Sequence, residues 1–207
     1  MKGRFKMENK TSYSTSMTGS GFMMYEFKQV TALKLKGLSD QEIRAKVLDE
    51  NLFQYNKMTS IKRAFPYLLK RVNALDEQLK QMVVEEPTDV GKVVNFYATL
   101  KIDKLFFEFM KEVVSESFEQ GQGILEKKDI NVFFTSKAEQ SDFIKGLADS
   151  TVNRLKSAYL RLLIEVGLLT DLKTKGLNRL VIDDQLKRYL IHNGEIAYVK
   201  AMGDEGI

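Results

Sequence analysis

The stretch Leu38 to Leu75 constrains the fold more than any other, because it carries two helical patterns in succession with a marked start. Ser39 followed three residues later by Glu42 is a capping box, in which the hydroxyl accepts from an orphan amide of the first turn and the carboxylate reaches back. A helix is therefore predicted from Ser39. Its apolar positions Ile43, Val47 and Leu48 share a side, and Asn51, which tolerates a left-handed conformation, is placed to terminate it. Thr59 and Ser60 are the next capping candidates. Beyond them Ile61, Phe65, Leu68, Val72 and Leu75 recur at steps of four and three, one stripe of a second helix.

Thr59, Arg63, Pro66 and Lys70 face the other way, and Lys62, Arg63, Lys70 and Arg71 make the remainder basic. A capped helix, a short connection and a second helix with a basic outer surface is the layout of a helix-turn-helix, whose second helix enters the major groove. An ordinary helical hairpin with a solvated basic face has the same pattern. Pro66 leaves two geometries open. Either the helix is kinked there, with one hydrogen bond lost at about 3 kcal/mol, or a new helix begins with Pro66 in its first turn.

A first helix is expected from about Ser20 to Lys36, with Phe22, Met23, Phe27, Val30 and Leu33 on its apolar face and Gly37 at its C-terminus. Those aromatic and Met side chains are core candidates before they are a base-stacking platform. Residues 1–17 are polar, rich in Ser and Thr and without periodicity, and are expected to form a mobile arm or a strap. Val83 to Gly91, with Glu85, Glu86 and Pro87, is the expected boundary between an N-terminal helix-turn-helix domain (18–86) and a C-terminal helical domain (87–207).

In the second domain Ile102, Leu105, Phe106, Phe109, Met110 and Val113 form an apolar stripe, with Glu108, Glu112, Glu116 and Glu119 on one acidic edge. That edge lacks the Glu-x-x-His partner of carboxylate metal sites, so no metal is assigned. Asp129 is expected to cap a short helix through Phe134, with another helix over 136–147. Asp149, Ser150 and Thr151 open an amphipathic segment in which Val152, Leu155, Tyr159, Leu162, Leu163 and Val166 gather on one face, and Ser150, Arg154, Ser157 and Arg161 on the opposite one. After Gly167, LLTD and RLVID are expected as two strands around a basic turn carrying Lys173 and Lys175. Helices followed by a small hairpin are the order of a winged helix, whose wing meets phosphates or the minor groove. Two closing helices, near 184–190 and 195–201, complete a mainly α chain: a helical bundle with an N-terminal helix-turn-helix and a winged-helix-like part carrying a small β-hairpin.

The chemistry of an enzyme is hard to place. There is no cysteine, the single histidine, His192, stands before Asn193 and Gly194 at a helix end, and neither GQG nor TGSG has the flanking Lys of a phosphate loop. No catalytic residue, cofactor or metal site is assigned, and a binding protein is expected. The most apolar windows are interrupted by charges, so a soluble, cytoplasmic protein without a membrane partner is expected. Net charge is +4, and residues 1–86 hold 15 Lys and Arg against 10 Asp and Glu, which places the basic excess beside the first candidate reading helix.

The runs YSTSMTGSGFMMYEF, ENLFQYNKMTSIKR, LFFEFM, INVFFTSKAEQS and IDDQLKRYL, with the closing AMGD, resemble the BrxA family of bacteriophage-exclusion (BREX) defence systems, from about Tyr13 to Asp204. The resemblance implies a small, helical, non-enzymatic component with helix-turn-helix or winged-helix character, some likeness to the RNA-binding factor NusB, and double-stranded DNA as ligand. Its SIKR motif places Ser60, Lys62 and Arg63 at the start of the first reading helix. The candidate DNA-binding set is therefore Ser60, Lys62, Arg63, Lys70, Arg71, Ser150, Arg154, Ser157, Arg161, Lys173 and Lys175. The alternatives are a protein scaffold within a defence assembly with other BREX proteins, suggested by Leu160 and Ile164 lying off the main stripe of their helix, and RNA binding.

Overall fold

A computed structural model of the chain describes residues 12–204. Twelve α-helices run through them: α1 (Met24–Leu35), α2 (Asp40–Leu48), α3 (Met58–Asn73), α4 (Glu77–Glu85), α5 (Thr88–Ile102), α6 (Lys104–Phe109), α7 (Glu116–Glu119), α8 (Lys127–Gln140), α9 (Asp142–Lys145), α10 (Asp149–Glu165), α11 (Asp184–His192) and α12 (Ile196–Ala201). A π-helical stretch, Met110–Ser115, joins α6 to α7, and a 3-10 turn, Ser16–Gly19, precedes α1. The fold is mainly α, as the periodicity predicts.

The capping box forms as expected: the Ser39 hydroxyl accepts from the Glu42 amide, and the Glu42 carboxylate accepts from the Ser39 amide. Asn51 is left-handed. The connection from α2 to α3 nevertheless spans residues 49–57 and holds a second left-handed residue, Gln54, so it is longer than the three or four residues of a helix-turn-helix turn. Phe53 is buried within it. Pro66 falls inside one continuous α3, on its exposed side. Burial of Ile61, Phe65, Leu68 and Val72 along the opposite side holds the helix together despite the missing amide. Pro66→Ala is therefore expected to raise stability by about 1–3 kcal/mol; urea unfolding that shows no gain would mean α3 has already adjusted to the ring.

The first helix begins later than expected, at Met24, after Met23 at φ 52°. Residues 20–22 stay outside it because the Gly21 and Phe22 carbonyls and the Ser20 hydroxyl are held elsewhere. Arg71 Nη1 donates to the Phe22 carbonyl (2.9 Å) and to Asn95 Oδ1 (3.0 Å), Nη2 donates to the Gly21 carbonyl (3.2 Å), and Asn95 Nδ2 donates to the Phe22 carbonyl (2.9 Å). Of the expected arm, residues 1–11 lie outside the described residues. From Ser12 the chain is a strap fastened to the body: Met17 is buried, and Tyr13 donates its hydroxyl to Glu108 (2.8 Å) with its ring over Lys104.

Where a domain boundary is expected, α4 and α5 meet with only Glu86 and Pro87 between them. Gly91 lies inside α5 at the closest approach, where a Cβ would come within 2.8 Å of Met24 Cε and 3.5 Å of the Val83 carbonyl. Helix α5 packs against α1, α3 and α4 and also against α6 and α12, so one core runs through the residues on both sides of position 86.

Among the described residues two carboxylates are buried, Glu26, which accepts from the Tyr55 hydroxyl, and Asp103, the deeper of the two. Asp103, 2 % exposed, caps α6 by accepting from the Phe106 amide (3.0 Å) and receives the Tyr67 hydroxyl at 3.4 Å. Burial raises its pKa to about 6. The folded state therefore holds this proton more tightly than the unfolded chain. Ionisation costs stability, a cost absent below about pH 4 and complete above about pH 6. Asp103→Asn, which keeps an oxygen for the cap, should gain stability relative to the parent as pH rises from 4 to 7, by about 2–3 kcal/mol. Urea midpoints that stay parallel across that range would contradict it.

In the C-terminal half α8 is longer than expected, running from Lys127 to Gln140, and Asp129 lies in its first turn without capping it. The expected hairpin is reduced to two isolated antiparallel bridges, Leu169–Leu177 and Ile124–Gly176, and RLVID forms no strand. Three segments meet there. The amides of Thr170 and Asn178 donate to the carbonyls of Gly176 and Leu168, while those of Leu125 and Leu177 donate to Lys175 and Gly123. Residues 123–125 are thus the unexpected third segment, flanking 175–177 on the side away from 168–170. Asp171 keeps the loop short, since its carboxylate accepts from the amides of Lys173 and Thr174 and from the Thr174 hydroxyl.

Candidate nucleic-acid interface

Helix α10 is amphipathic for a local reason. Leu155, Tyr159, Leu162 and Leu163 are buried in the core, with the Tyr159 ring tilted against Phe106, Phe109 and Phe134 at centroid distances of 4.7–5.9 Å. Fixing that face fixes the opposite one. Ser150, Arg154, Ser157 and Arg161 are all exposed along it, with Asn153 beside them. Gly167, at φ 84°, ends the helix and returns the chain at once to the bridged segment 168–170. The loop that follows carries Lys173, exposed, and Lys175, half-buried in a left-handed conformation with its carbonyl tied to Leu125.

Among the described residues Arg154, Arg161, Lys173 and Lys175 make no ion pair, so their charge is available to an external anion. Lys156 differs from its neighbours: its ammonium donates to Asn131 (2.8 Å) and lies over the Phe134 ring, which pins it to α8. Burial lowers its pKa.

On α3, Ser60, Lys62, Arg63 and Lys70 are exposed. Arg71 is not. Its exposure is 0 %, its guanidinium is spent on the strap carbonyls and Asn95, and it lies between the rings of Phe27 and Tyr67. It is a core residue, and its assignment to a DNA-binding face is withdrawn: position 71 follows Lys70 by one residue, which turns it 100° around the helix into the stripe side. The 3-10 turn of the strap packs on both α3 and α10, and the Arg63 side chain lies against Gly19 in that turn. The start of α3 and α10 therefore flank the same short segment, while Lys70 sits two turns further along α3.

The acidic edge has a structural explanation. Lys137 of α8, 4 % exposed, bridges Glu108 (2.8 Å) and Glu112 (2.6 Å). Leu160 and Ile164 are half-buried against the core, which removes the motive they gave for a scaffold surface. His192 is exposed at the last position of α11.

The family model for BrxA matches residues 11–194. The chain belongs to the BrxA family. Among curated relatives it is similar to a BREX protein BrxA of Bacillus cereus, 32 % identical over 96 % of this chain and 95 % of the relative, and to one of Paramagnetospirillum magneticum, 27 % identical over 88 % and 92 %. A solved structure, of an uncharacterized protein from Magnetospirillum magneticum, superposes with a TM-score of 0.82 over 92 % of this chain and 97 % of that one, at 26 % identity. This BrxA-family chain has no helix, among the described residues, long and apolar enough to cross a membrane.

Proposed function

We propose that this BrxA-family chain is a non-enzymatic, double-stranded-DNA-binding component of a BREX phage-defence system, working beside other BREX proteins. The observation that carries the reading is the order of parts around α10. A bridged segment (123–125) is followed by α8, by the single-turn α9, by α10 with its exposed Ser150, Arg154, Ser157 and Arg161, and by two bridged segments (168–170 and 176–178) closed by a loop bearing Lys173 and Lys175. This is the sequence of elements in a winged helix, with α10 as the helix that enters the major groove and residues 171–175 as a short wing. Arginines on the exposed row suit guanine edges and phosphates alike, and serines suit phosphates. Ser60, Lys62 and Arg63, on the far side of the 3-10 turn from α10, supply further phosphate contacts.

Fluorescence anisotropy with a labelled duplex and an RNA hairpin of equal length, each titrated at several salt concentrations, tests the ligand class. The duplex is expected to bind more tightly and with a steep salt dependence. Equal binding of the hairpin would favour RNA, and no binding of either at low salt would remove nucleic acid from the account.

A further inference from the structure

Helices α2 and α3 leave an open groove of about 400 Å³ between them, lined by none of the residues to which the proposed DNA contacts are assigned. Its floor is apolar: Pro66, exposed, and Leu69, half-buried, with the buried Phe65 behind them. Pro66 is the unusual member. It is exposed, contributes nothing to the buried stripe of α3, and removes a helical hydrogen bond, so the fold alone gives no reason for it. A rigid ring on the floor of a groove is a reason, since it offers a partner apolar surface that loses no side-chain freedom on contact.

The rim sets the charge of what can enter. Asp40 is the one carboxylate in the lining, and it is already engaged, paired with Lys34 and accepting from Asn73 Nδ2 (3.0 Å). Arg44 on the α2 side and Lys70 on the α3 side are exposed and make no ion pair among the described residues. An apolar floor between two unpaired cations matches a helix whose apolar side chains recur one turn apart between acidic residues. Duplex DNA matches it poorly, because phosphates gain nothing from Pro66 and Leu69 and meet the Asp40 carboxylate at the edge.

We infer that the α2–α3 groove docks an acidic amphipathic helical segment of a protein partner, with Pro66 and Leu69 receiving its apolar side chains and Arg44 and Lys70 its carboxylates. Lys70 then belongs to a protein interface and not to the DNA-binding set.

The test uses the full chain labelled with nitrogen-15 and three probes: a synthetic helical peptide with Leu one turn apart and Glu elsewhere, the same peptide with Lys for Glu, and a short DNA duplex. The Glu peptide is expected to shift the amides of Gln41, Arg44, Leu69, Lys70 and Asn73. Arg44→Glu with Lys70→Glu should weaken it by roughly tenfold or more, and Pro66→Ala, which preserves the helix, should weaken it by about threefold. No shifts at millimolar Glu peptide, equal shifts with the Lys peptide, or shifts of these same amides by the duplex would each overturn the inference. A duplex that moves only α10 and wing amides leaves it standing and is scored separately from the DNA reading.

Discussion

Arg71→Ala is expected to destabilise the protein by about 3–5 kcal/mol, and to lower the thermal midpoint by about 10 °C. Three effects act together. The Gly21 carbonyl loses its donor and the Phe22 carbonyl one of two, Asn95 Oδ1 is left without a partner, and the rings of Phe27 and Tyr67 face a cavity where the guanidinium lay. The strap loses its anchor with them, since its residues 20–22 are fixed to the body through Arg71 and Asn95. Burial lowers the Arg71 pKa to about 10, which leaves it charged at neutral pH. The variant should keep its duplex affinity at a temperature where it is folded. An affinity loss there with an unchanged thermal midpoint would return Arg71 to the DNA-binding face.

The converse result is expected on α10. Arg154→Ala with Arg161→Ala should leave the thermal midpoint within about 2 °C of the parent, because both side chains are exposed and make no ion pair among the described residues. Duplex affinity should fall by about 2–4 kcal/mol, or roughly 30- to 1000-fold. The slope of log affinity against log salt should become shallower by about two units if both arginines meet phosphates. Loss confined to particular duplex sequences, with the slope kept, would place them on base edges instead. An unchanged affinity would remove α10 as the reading helix.

These two residue groups show what was legible in the sequence. A 3.6-residue period reads burial well wherever one face of a helix is apolar, as for α3 and α10, and the Ser39 capping box marks a boundary because its chemistry is local. It reads a charged residue as solvated by default, which failed at Arg71, whose partners are 49 and 24 residues away. The late start of α1 fails for the same reason, as the strap carbonyls are claimed by a distant guanidinium. Lys137 and the acidic edge are another case, resolved only when α8 folds across the π-helical stretch. The segment 123–125 carries no strand signal because its pairing is supplied by residues some 50 positions on. Pro66 could not be settled from its own neighbourhood, since what keeps α3 continuous is packing on the opposite side. The exposed row of α10 lies where the pattern puts it, and Lys173 and Lys175 lie in the loop that follows; the groove beside Pro66 needed α2 and α3 together.

Placing a photocrosslinking amino acid at Ser157, in the middle of the exposed row, and at Glu77, exposed on α4, tests the central claim most directly. With a labelled duplex bound, crosslinks are expected from position 157 and none from position 77. Retained binding with no crosslink from 157, or equal yield from both positions, would contradict the account of α10 as the helix that meets DNA.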